Sequence, residues 1–149
     1  MADASNPIPI ILCGATLETG ERVTAFLQPE IEVIHFVDSF AYAKENLAQL
    51  LAGRAPKSPS SNHIGTHNYG KSPRGVIFGR AFDPAHVKEL NNLCRGASSI
   101  PVAWIAGDPT VKPPAHPDVR YAEKGADNVK RALMEWINAG VGSEDIVYY

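Results

Sequence analysis

The chain has 149 residues, a length that fits one domain with room for a buried core. Its hydrophobic share of 44% and charged share of 20% exclude a disordered chain, and a formal net charge of −2 gives no general attraction to nucleic acid or to an anionic membrane. No apolar run approaches the ~20 residues of a membrane span, and the first nine residues hold Asp3 and no basic side chain, so neither a signal nor a transit peptide is expected and a cytoplasmic place is.

Residues 8–13, IPIILC, form a short apolar run halted by Gly14, the pattern of a strand buried on both faces of a parallel sheet. A helix is expected over 18–28, with Val23, Phe26 and Leu27 on one side and Pro29 as its stop. Residues 31–37, IEVIHFV, read as a second strand rich in β-branched side chains, with His35 as a hydrogen-bonded core histidine. Asp38 and Ser39 are both able to cap the next helix, whose apolar face is Phe40, Ala43, Leu47, Leu50 and Leu51 and which ends at Gly53.

Over residues 54–73 the pattern lapses into Pro, Ser, Gly and Asn with almost nothing apolar to bury. A connection longer than the ~12–15 residues usual in a compact domain reads as a mobile surface loop, or else as a dimer arm or lid. In a doubly wound sheet it belongs at the amino end, away from the binding crevice. His63 and His67 have the spacing of paired metal ligands, but Gly65 lies between them and no helical pattern or nearby acid supports them. Solvated histidines are expected there, and no metal site.

Residues 75–79 are a third strand, and Asp83-Pro84 then opens a helix with Val87, Leu90, Leu93, Cys94 and Ala97 on its apolar face. A fourth strand is expected over 100–106, its Pro101 suggesting an edge or a beginning. The proline-rich stretch 107–116 is not helical. A last helix spans 117–138 with Val119, Ala122, Ala126, Val129, Leu133, Trp136 and Ile137 aligned, unless Gly125 divides it. Residues 146–149 supply a short terminal strand. Cys13 and Cys94 each fall inside an apolar pattern, which predicts two buried reduced thiols.

Strands alternating with helices give a three-layer, Rossmann-like α/β domain of flavodoxin-like size. Its mainly parallel sheet has four or five strands in the order 2-1-3-4, with the fifth at one edge. Such sheets bind ligands beyond the carboxyl ends of their strands, where the strand order reverses between strands 1 and 3. The residues that matter therefore lie at 14–20, 38–42, 80–83 and 107–108.

The turn after the first strand, Gly14-Ala15-Thr16-Leu17-Glu18-Thr19-Gly20, resembles the GATGxxG turn of extended short-chain dehydrogenases and their NmrA-like relatives. That resemblance covers the first βαβ unit alone. It implies NAD(P) held by Gly14, Thr16, Thr19 and Gly20, with Asp38 on the adenosine ribose. Thr16, Thr19 and Gly20 also have a distant likeness to the flavodoxin phosphate loop, which implies FMN.

Three departures point away from a dehydrogenase. Leu17 replaces the middle glycine that lets a pyrophosphate approach. Glu18 and Glu21 in the first helical turn are expected to occupy the free amides and dipole that would otherwise draw a phosphate. The Tyr-x-x-x-Lys pair is missing, Tyr42 being two residues from Lys44 and Tyr121 three from Lys124. As a whole the chain is similar to a group of short fungal Rossmann-like proteins, through residues 14–20, EVIHF at 32–36 and the tail DIVYY, a likeness that brings no activity with it.

Arg80, Asp83 and His86 gather after the third strand. Asp83 is either a helix cap with Arg80 as its ion partner, or Arg80 anchors an anionic ligand with His86 or Asp38 as general acid or base. Asp108 is expected to face the same crevice. The first expectation is thus a non-redox domain that binds a small molecule or acts by self-association. Trp104, Trp136, Tyr148 and Tyr149 provide aromatic surface for a homodimer. The alternatives are an NAD(P)- or FMN-binding remnant using Gly14, Thr16, Thr19, Gly20 and Asp38, and a cofactor-free lyase or isomerase using Asp38, Arg80 and His86.

Overall fold

A computed structural model describes residues 6–59 and 62–149. Asp3 with the rest of the first five residues, and Ser60 and Ser61 in the long connection, lie outside the described residues. The elements run β1 (Ile8–Cys13), α1 (Leu17–Leu27), β2 (Ile31–Val37), α2 (Phe40–Leu51), β3 (Gly75–Phe78), α3 (Pro84–Cys94), β4 (Ala103–Ala106), α4 (Val119–Ala139) and β5 (Ile146–Tyr148). All strand pairs are parallel and the order is β2-β1-β3-β4-β5, as expected from the alternating pattern.

Side chains alternate across the sheet and feed two separate cores. Ile11, Cys13, Val76, Phe78 and Trp104 meet α2 and α3 on one face, while Ile10, Leu12, Ile77 and Ile105 meet α1 and α4 on the other. The β1–β2 ladder slips by one residue, Ile10 facing Val33 but Ile11 facing His35. Because strand periodicity is 2, that slip transfers Phe36 to the layer of α1 and α4, beside Ile31 and Val33. Helix starts follow their caps: Ser39 Oγ accepts from Tyr42 N at 3.2 Å, Asp83 Oδ1 from Ala85 N at 2.9 Å, and Asp118 Oδ1 from Tyr121 N at 2.9 Å.

Several expectations are corrected. The fourth strand begins at Ala103, since Pro101 has no N–H and the amide of Val102 donates to Glu144 Oε2 at 3.1 Å instead of to a neighbouring strand. Gly125 stays inside an unbroken α4. Leu93 is exposed because the sheet-facing stripe of α3 is Val87, Leu90, Asn91 and Cys94, the Asn91 amide donating to Glu144 O at 2.8 Å. Val119 is also exposed, preceding the part of α4 that covers the sheet. Trp104 is 0% exposed and gives nothing to a dimer surface.

The 54–73 connection is no loose surface loop where it is described, and it does not stay at the amino end. It first runs back along α2, where the buried Asn46 Oδ1 accepts from Lys57 N at 2.7 Å and Ser58 N at 3.1 Å. It then descends the free edge of β2 as a strap. Asn62 Nδ2 donates to Phe36 O at 2.9 Å, Thr66 N to Val33 O at 2.9 Å and His67 N to Ile34 O at 2.8 Å. Gly65 is required there: its φ is 97°, and a Cβ would lie 2.6 Å from Ile34 O. Ile64 is buried in the core of α1 and α4, and Lys71 and Asn68 both reach the buried carboxylate of Glu32. An edge strand left open invites pairing with another chain, and this strap closes it.

Candidate functional site

Chain order reverses between β1 and β3, so the loops leaving these strands diverge and a cleft of about 210 Å³ opens between them. Its walls are the turn at 14–16 with the first turn of α1, the segment Gly79-Arg80-Ala81 after β3, and Tyr121, Gly125 and Val129 of α4. Pro113, Pro114 and Pro117 of the β4–α4 connection close one side, and Tyr149 another. Gly14, Thr16, Thr19, Gly20 and Arg80 are therefore brought together, as their positions in the sequence implied.

The two glycines have a reason inside the protein. A Cβ on Gly20 would come within 2.6 Å of the Phe36 ring, and one on Gly14 within 3.1 Å. The ring is buried and flat, so it cannot yield as a flexible chain end would. The pattern that resembles a phosphate turn thus makes room for Phe36.

Neither acid lies on the helix amides. Glu18 Oε1 pairs with Arg22 Nη2 at 2.7 Å, one turn along the outer face, and Glu21 Oε1 with His63 Nε2 at 2.7 Å on the strap. Thr16, at the N-cap, makes no side-chain capping bond. Leu17 does not line the cleft and its side chain is exposed, so it is no obstacle there. The expectation is met in part: Glu18 stands in the first turn of α1, where the helix dipole favours an acid, but the carboxylates of Glu18 and Glu21 reach Arg22 and His63.

Arg80 is not the partner of Asp83, whose carboxylate caps α3. Its Nη2 donates to Tyr149 O at 3.1 Å, its guanidinium lies 4.8 Å from the centre of the Tyr149 ring, and its Nε is buried without a partner. Gly107 allows this placement, since a Cβ there would lie 2.3 Å from Arg80 Cγ. Tyr149 donates its hydroxyl to Phe78 O at 3.3 Å, and burial pushes its phenol up to about 12 although the Arg80 charge pulls the other way.

Asp38 and His86 do not line the cleft with Arg80. The His86 ring stacks on Phe40 of α2 with centroids 3.8 Å apart and lies edge-on to Phe82, in the layer of α2 and α3. Asp38 acts electrostatically on His35 and Tyr42 and does not line the cleft. Asp108 also stays outside it; its Oδ1 accepts from Thr110 N at 2.9 Å and Thr110 Oγ1 at 2.7 Å, and these bonds hold the carboxyl below its usual range. Of Asp38, Arg80 and His86, Arg80 alone lines this cleft.

His63 is exposed as expected, whereas His67 is half-buried, its ring 5.5 Å from those of His35 and Tyr69. Among the described residues no group of three or more His, Cys, Asp or Glu is placed to hold a metal. Cys13 and Cys94 are buried and unbridged, and burial raises both thiols, Cys94 to about 11. Among the described residues no helix is long and apolar enough to cross a membrane.

Kojic acid related protein 6 of Aspergillus oryzae is 33% identical to this chain over 143 residues, covering 95% of the chain and 86% of the relative. The chain belongs to the family of that protein. No family model matches the chain, and no solved structure does. The expected likeness to fungal proteins is met by this relative, and the parallel sheet fits a Rossmann-like fold. Sequence reasoning missed Phe36 and Tyr149 as parts of the cleft. Phe36 looked like one more apolar strand residue, and the contribution of Tyr149 depends on where β5 docks.

Proposed function

We propose that the protein is a non-redox binding module for a small, mostly apolar molecule seated in the β1–β3 cleft. The observation that carries this reading is the lining: among the described residues it includes two tyrosines and one arginine but no Asp, Glu or His side chain. General acid–base work needs a group poised near the operating pH, and a phenol raised to about 12 is not one. Pockets for drug-sized ligands run about 300–1,000 Å³. At about 210 Å³ the cleft suits a single-ring compound better than a whole NAD(P) or FMN. On this reading the likeness to NmrA-like and short-chain dehydrogenases reflects a common scaffold whose glycines now serve Phe36.

The relative's name ties it to kojic acid, a one-ring compound, which makes that molecule the first probe for this chain. The test is an amide-resolved titration with kojic acid and a panel of other single-ring compounds. At least one should shift Gly14, Gly20 and Tyr149. Gly125→Leu adds bulk at a lining position where a Cβ meets nothing within 4 Å, and it should abolish the shifts. Undiminished binding by that variant refutes the cleft as the site.

Self-association is the second reading, favoured by β5. Val147 and Tyr148 are 39% and 44% exposed on that last strand, and no described segment covers its outer edge as the strap covers β2. Light scattering decides this one, and a monomer at high concentration removes it.

A further inference from the structure

We propose that Ser58 is a phosphorylation site for a proline-directed serine kinase, and that the phosphate frees the start of the strap from α2. The tripeptide Lys-Ser-Pro occurs twice in the chain, at 57–59 and 71–73, near each end of the 54–73 connection. The two copies have opposite surroundings. Lys57 and Pro59 are exposed, and the half-buried Ser58 donates its hydroxyl to Glu45 Oε1 at 2.7 Å in an exposed hydrogen bond. In the second copy Pro73 is buried, Lys71 Nζ is held by Glu32 Oε1 at 2.6 Å, and Arg74 N donates to Pro9 O at 2.7 Å. A kinase that selects proline reads a residue with fixed φ and no amide hydrogen, and it must take in the serine with both neighbours. The first copy alone offers all three.

The phosphoryl donor is a nucleoside triphosphate. Ser58 Oγ bonds to the γ-phosphorus and the bond from that phosphorus to the β–γ bridging oxygen breaks. The diphosphate leaves with the electron pair, and the hydroxyl proton passes to the kinase's base. The product carries a charge of about −1.5 to −2 where a neutral hydroxyl met a carboxylate, so the hydrogen bond to Glu45 becomes a like-charge contact. Lys44, next to Glu45 in the chain, is already paired with Glu89 Oε2 at 3.4 Å. The same serine is an anchor of the connection. Its N–H donates to Asn46 Oδ1 at 3.1 Å, beside that of Lys57, and its main-chain oxygen accepts from the Tyr42 hydroxyl at 3.1 Å. A phosphate pushed away from Glu45 therefore pulls on the bonds that tie residues 57 and 58 to α2.

The test incubates the intact chain and magnesium ATP with two proline-directed kinases in turn, one cyclin-dependent and one mitogen-activated, each shown active on a standard peptide. Mass spectrometry maps the product. Phosphate should enter Ser58 and leave Ser72 bare, and Ser58→Ala should take up none. In the phosphorylated chain the protection of the Lys57 and Ser58 amides against hydrogen exchange should fall by about tenfold, the scale of a surface like-charge contact. Unphosphorylated Ser58→Ala keeps the backbone bonds to Asn46 and Tyr42, so protection at Lys57 should hold. Glu45→Gln removes the opposing charge and should blunt the effect of the phosphate. A Ser58 left bare by both kinases, or equal modification of Ser72 in the folded chain, overturns the site. A phosphate on Ser58 that leaves both amides as protected as before overturns the release.

Discussion

Acid should loosen the strap on β2, because His35 anchors it as a neutral ring. His35 is 1% exposed, shares a hydrogen bond of 2.8 Å between Nδ1 and the Tyr69 hydroxyl, and stacks on Tyr42 with centroids 5.4 Å apart. Burial, then the neighbouring His67, pushes its pKa from 6.5 down to about 4, with Asp38 opposing. The unfolded chain takes up this proton near the ordinary value and the folded chain resists until about 4. The associated stability is therefore complete above 6.5, lost progressively as pH falls towards 4, and constant below that. The gap is about 2.5, at about 1.4 kcal/mol per unit, so roughly 3 kcal/mol should disappear across the window.

Urea melts at steps between pH 7 and 4 measure this loss. Carboxylates also titrate near the bottom of the window. Burial alone would raise Glu32, but bonds from Lys71, Thr66 and Asn68 outweigh it and hold the carboxyl low, so its contribution fades only in stronger acid. The control is His35→Gln, which keeps a polar group opposite Tyr69 and has no proton to gain. It should be less stable at pH 7 and show a slope flatter by the histidine's share. Parallel curves for the two proteins from pH 6.5 to 4 would refute the assignment.

Gly20→Ala tests why that glycine is there. Alanine gains up to about 1 kcal/mol of helix propensity, but overpacking against Phe36 costs about 1–3 kcal/mol, so the melting temperature should fall and Phe36→Leu should recover it. A stabilised Gly20→Ala would contradict the packing account. Gly125→Ala meets no atom within 4 Å and should raise stability by about 0.5–1 kcal/mol in a chemical melt while narrowing the cleft. Asn46→Ala leaves the amides of Lys57 and Ser58 without their acceptor, a local cost of about 1–3 kcal/mol. Limited trypsin digestion should then cut faster after Lys57, and an unchanged rate would count against the anchor.

Local pattern was enough to read the element order, the parallel sheet and its strand sequence. Apolar runs such as IPIILC need burial on both faces, and helices between strands leave one handed way to connect them. The caps Ser39 and Asp83 and the reduced cysteines were legible for the same reason, since each depends on neighbours within a few residues. Gly14, Thr16, Thr19, Gly20 and Arg80 could be placed at one sheet edge because topology dictates where strand ends meet.

What tertiary structure alone decided concerns partners distant in sequence. The glycine turn is explained by Phe36, which a one-residue slip in the β1–β2 ladder turns toward it. The acids Glu18 and Glu21 point to Arg22 and His63 and leave the amides, and Arg80 turns to Tyr149, 69 residues away, in preference to Asp83. The polar stretch after α2 becomes a strap because β2 offers unpaired carbonyls, a demand made by the assembled sheet and carried by no local pattern. Periodicity reports which face a residue shows, but only packing in three dimensions selects which of several possible partners it meets.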